Sequence, residues 1–135
     1  MRYLFAVALV LLPACKTGGS ERPMARDNME LRAAPMLPAM RAHLDSTGLG
    51  GSLTPASMPQ HQVRVRDFVR ATKADMQQLG MHSDRAYEAL ADSVLRGLER
   101  LASPGASDVK RLTAEHVDRV RRLASVYERM VATTN

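Results

Sequence analysis

Histidine occurs only four times in this 135-residue chain, and two of the four stand in the same relation to a methionine. Met40-x-x-His43 and Met58-x-x-His61 each set a thioether and an imidazole three residues apart, which on a helix are neighbouring positions of one face. Such a pair is a ligand set for soft or borderline metals, copper above all. His116 supplies a further imidazole, so the candidate metal ligands are Met40, His43, Met58, His61 and His116. A plainer alternative stands beside this one. Nine methionines make two such pairs attainable by chance, methionine is a common filler of helical cores, and His116 reads equally well as a core histidine bonded to a neighbour.

Other chemistry is missing from the sequence. There is no GxGxxG, GxxxxGK[ST], GxSxG or CxxCH motif, so the common nucleotide, hydrolase and haem signatures are absent. A ferritin-like di-iron site needs Glu-x-x-His on its helices, whereas Glu115 and His116 are adjacent and diverge by about 100° around a helix. The remaining acids read as helix caps and solvated partners of arginine. No enzymatic activity is expected.

Cys15 is the only cysteine, so no disulfide can form within the chain. It follows Arg2, a short apolar run over residues 4–12 and then Pro13-Ala14. That run is well short of the ~20 residues a spanning helix requires, and a positive start, apolar middle and small-residue exit describe an export signal. Leu12-Pro13-Ala14-Cys15 resembles the lipobox of bacterial lipoproteins, with Pro13 where a small residue is commoner. The resemblance implies cleavage before Cys15 and its acylation, an anchor of more than the two signals that stable attachment needs. Lys16 after the cysteine is similar to the pattern of outer-membrane lipoproteins, which implies the periplasmic face of the outer membrane if the host is diderm.

The expected organisation is therefore a signal peptide over 1–14, an acylated Cys15 with a polar Gly/Ser/Pro tether through 27, and a folded unit over 28–135. The net charge of +5 does not point to nucleic acid, since export argues against it and the arginines form no stripe with interleaved aromatics. The charge suits a solvated surface with attraction for anionic headgroups, an anionic envelope polymer or an envelope protein.

The elements that must carry the histidines are helices. Residues 57–79 place Met58, Val65, Phe68 or Val69, Thr72, Met76 and Leu79 on one stripe, with Ser57 as expected N-cap and Gly80 as stop. Residues 84–102 repeat the pattern with Tyr87, Leu90, Ala91, Val94, Leu98 and Leu101, and 107–131 with Leu112, His116, Val120, Leu123, Tyr127 and Met130. The first helix either runs kinked from Asn28 to Ser46 or begins near Pro35, where proline is tolerated in a first turn. No segment shows strand alternation, and the expected fold is all-α, an antiparallel four-helix bundle.

In that bundle His43 and His61 fall at one end, where the last helix also starts. His116 is expected over a turn deeper than His61, so a shared site needs a register shift. His82 beside Met81 lies at the opposite end, near Met76 and Met130, and offers at most a second, weaker site. The composition of residues 29–131 is similar to Met- and His-rich helical bundles of bacterial envelopes, and that resemblance implies metal sequestration or sensing.

Overall fold

The computed structural model describes residues 30–48, 53–81, 84–103 and 108–134. The signal segment, Cys15, the tether and His82 lie outside the described residues. Four α-helices follow in order, α1 Leu37–Gly48, α2 Met58–Gln78, α3 Arg85–Ala102 and α4 Val109–Ala132, with a 3-10 turn Ala34–Met36 ahead of α1. Among the described residues there is no strand. None of the described helices is long and apolar enough to cross a membrane.

Local chemistry sets the helix ends. Of the two starts open to the first helix, the one near Pro35 is correct: Pro35 sits in the 3-10 turn and Pro38 in the first turn of α1, where a missing N–H costs nothing. Asp84 and Asp108 cap α3 and α4, each carboxylate accepting the backbone N–H three residues on, from Tyr87 and Arg111. Ser57 occupies the N-cap position of α2 but makes no cap bond. Its hydroxyl accepts instead from the backbone N–H of Thr54 at 3.0 Å. Gly80 adopts φ +72° just past α2, a left-handed conformation that glycine enters without steric penalty.

Each helix packs against its neighbours in sequence, and α4 closes the ring against both α3 and α1. Arg41 meets Glu128 while Asp45, a turn later, meets Arg121, two turns earlier, so α1 and α4 run in opposite directions. The core takes Val65, Phe68, Val69 and Met76 of α2, Tyr87, Ala91, Val94 and Leu98 of α3, and Val120, Leu123 and Tyr127 of α4 from the expected stripes, and adds Val117 of α4 and Met40 and Leu44 of α1, which no expected stripe included. Phe68 and Val69 are both buried, so the α2 stripe is wider than a single row. Leu90, Leu112 and Met130 are half-buried at its margins.

One carboxylate breaks the expectation that acids serve as caps or surface partners. Asp75 is fully buried. Its Oδ1 accepts the backbone N–H of Arg32, and its Oδ2 accepts the N–H of Ala33 and the Tyr127 hydroxyl, at 2.8, 2.8 and 2.6 Å. A buried carboxylate is tolerable when its lone pairs are occupied in this way. Nearby, the Tyr87 hydroxyl donates to Thr72 Oγ1 at 2.6 Å. Burial foremost, with the Asp75 carboxylate beside it, pushes the Tyr127 phenol well above its usual range.

Candidate functional site

At the other end of α2 from Asp75, three histidines from three helices meet. His43 lies one turn after the buried Met40 on α1, His61 is in the first turn of α2, and His116 is two turns into α4. His43 Nε2 and His61 Nδ1 are 2.8 Å apart, one N–H facing one lone pair. The His61 and His116 rings are 5.1 Å apart between centroids and nearly perpendicular, and the His43 and His61 rings are also 5.1 Å apart. His61 thus bridges the other two.

The depth difference that argued against a shared site does not keep the rings apart. His116 lies seven residues into α4 and His61 three into α2, a difference of about 6 Å at 1.5 Å per residue. An axial offset of about one turn between the two helices absorbs it. The fourth helix contributes by standing back: a Cβ on Gly97 of α3 would lie 2.9 Å from His116 Nδ1. Any side chain there would displace the ring, so α3 accommodates His116 with a residue that has none.

His61 and His116 are wholly buried, and three of their nitrogens are unpartnered: His61 Nε2, His116 Nδ1 and His116 Nε2. A buried polar atom left unpaired costs about 1–3 kcal/mol, and apolar residues of the same size would avoid that cost. A small bundle that keeps three such atoms at one point calls for an explanation in terms of function or a bound species. The electrostatics are of one sign. Burial, then the neighbouring imidazole, lowers His61 to about 4, and burial, then His61 and Arg119, lowers His116 to about 4. His43 is lowered as well, by burial and then by the Arg64 guanidinium. All three rings are therefore neutral at pH 7, the protonation state in which imidazole binds metals.

The five candidate ligands thus divide. His43, His61 and His116 are brought together. Met40 is buried in the hydrophobic core and Met58 is half-buried at the first residue of α2. Among the described residues no three or more His, Cys, Asp or Glu side chains are already arranged as a metal cage. His43 and His61 face each other at 2.8 Å, closer than the ~3.3 Å between two nitrogens that each lie about 2 Å from one tetrahedral ion, so loading requires that this hydrogen bond open. At the opposite end, Met81 Sδ accepts from Thr134 Oγ1 at 3.7 Å and Met76 is buried in the core; the weaker site expected there depends on His82, outside the described residues.

Sequence reasoning missed Asp75 and Gly97, and both carried a signal. Asp75 is a carboxylate on an apolar stripe, level with Thr72 and Met76, and Gly97 is a lone glycine inside a helix between Val94 and Leu98. A groove between α2 and α3 is lined by Arg66, Arg70, Lys73 and Glu99, but Arg70 is paired with Asp67, and Lys73 with Glu88 and Asp92. Its cations are largely neutralised. Comparison with protein-family models, curated proteins and solved structures returns no match to this chain.

Proposed function

We propose that this chain is an exported, lipid-anchored protein of the cell envelope whose helical domain is a non-catalytic binding module, and that it binds a soft or borderline transition-metal ion at His43, His61 and His116. The observation that carries the metal reading is the set of three unpartnered nitrogens on two fully buried imidazoles, beside a third imidazole at hydrogen-bond distance. Neutral nitrogen donors gathered from separate helices suit copper, zinc or their neighbours. Entry of the ion would open the hydrogen bond between His43 and His61; the donating ring stays neutral by carrying its proton on its other nitrogen, and the three neutral imidazoles would join α1, α2 and α4 through one centre. A lipid anchor at Cys15 would keep that centre at the membrane surface.

The test is titration of residues 16–135 with copper and zinc in competition with a chelator of known affinity. One ion per chain is expected. Replacing His43 and His61 together by glutamine should abolish binding while circular dichroism still reports a helical protein. A folded double variant with unchanged affinity would refute the metal reading.

A further inference from the structure

The charges around the cluster select among metal ions. Among the described residues no carboxylate acts appreciably on any of the three rings; the charged or titratable groups that do are the other imidazoles, Arg64 beside His43 and Arg119 beside His116. The nearest acid in sequence, Glu115, is engaged by Arg111 and by Arg119. Only neutral donors, flanked by two guanidinium groups, would therefore receive an incoming cation.

Burying an ion costs free energy in proportion to the square of its charge, so a divalent ion pays roughly four times what a monovalent ion of that size pays. Sites for divalent ions recover this with thiolate or carboxylate ligands, or by keeping water at an open position. Here both His61 and His116 are fully buried, and the α3 backbone closes on His116 at Gly97. The α3 wall supplies no fourth ligand to a tetrahedral divalent ion, so a fourth ligand would have to be a water entering on the side of half-buried His43. A closed-shell monovalent ion accepts two or three neutral nitrogens and needs no compensating anion.

We infer that the cluster is selective for Cu(I), held between His61 and His116 with His43 as the third ligand from the solvent side, and that it discriminates against Cu(II) and Zn(II). This rests on the metal reading above and adds its oxidation-state selectivity. His43 is the half-buried member, so the ion reaches the buried pair past it.

The experiment uses the full chain in detergent micelles as the Cys15→Ser variant, so that no thiol competes for copper. Under anaerobic conditions Cu(I) and Ag(I) are titrated against a chromogenic chelator; Cu(II) and Zn(II) are titrated separately against chelators suited to each. The expected result is one Cu(I) or Ag(I) per chain, undisturbed by a tenfold excess of Zn(II), with Cu(II) bound at least a hundredfold more weakly. His43→Gln, at the accessible edge of the site, should keep the fold and weaken Cu(I) binding tenfold or more. Equal or tighter binding of Cu(II) or Zn(II) would overturn the selectivity while leaving the metal reading intact. Absence of binding by all four ions would overturn both.

Discussion

At the scale of single residues, the histidine cluster makes the metal-free protein sensitive to acid. His61 and His116 fall from an ordinary 6.5 to about 4 in the folded chain, because burial penalises the imidazolium. Between those values the unfolded chain binds protons that the folded chain refuses, so stability declines as pH falls. The contribution is fully present above pH 6.5, is lost progressively toward pH 4, and is on the order of 3 kcal/mol for each ring. Urea unfolding of the metal-free chain should show its midpoint dropping through that window, and a midpoint constant from pH 7 to 4 would contradict the burial argument. The sequence nominated all three histidines, because their residue type carries the chemistry. It also set His43 and His61 at one end of the bundle, as found, but it could not bring His116 to them, because that meeting depends on the axial offset of α2 against α4, a quantity set by packing across the whole bundle. Asp75 showed in the sequence as a carboxylate on an apolar stripe, but what satisfies it could not be read, because its partners, Arg32, Ala33 and Tyr127, are more than forty residues away in the chain.

At the scale of elements, helix ends were legible where side chain and backbone agree and misread where a side chain found another partner. Asp84 caps α3 through the Tyr87 N–H at 2.8 Å, and replacing a functioning cap by alanine costs about 1 kcal/mol. Ser57 looks equivalent in sequence, yet its hydroxyl is bonded with Thr54 and caps nothing. Asp84→Ala should therefore lower stability by about 1 kcal/mol, and Ser57→Ala by less than about 0.5 kcal/mol, as for an ordinary surface change. Parallel denaturant titrations of the two variants check this, and equal losses would show that position alone decides a cap. Pro35 and Pro38 left the start of the first helix open between two readings. The bond between the 3-10 turn and the preceding residue, Met36 N–H to Ala33 carbonyl at 3.0 Å, shows how the chain enters α1 without a kink inside the helix.

At the scale of the whole molecule, the amphipathic stripes were enough to specify four helices and an all-α bundle, since each apolar face has only its neighbours to bury against. Place in the cell rests on Cys15 alone. Cells labelled with a fatty acid should incorporate it into this chain, globomycin should block processing, and the Cys15→Ser variant should lose the label. Continued acylation of that variant would refute the lipobox reading.

Asp75 has a mechanical consequence. The described chain enters the bundle at residues 30–33, and there the amides of Arg32 and Ala33 are both held by one carboxylate on α2 whose other partner is Tyr127 on α4. Tension arriving from the N-terminal side is borne first by those two parallel hydrogen bonds and distributed into two helices, before it can peel α1 away. His61 sits fourteen residues up α2 from this clasp, about 21 Å along the axis. If Cys15 is the anchor, the point that would take the strain and the point that gathers the imidazoles are thus near opposite ends of one helix.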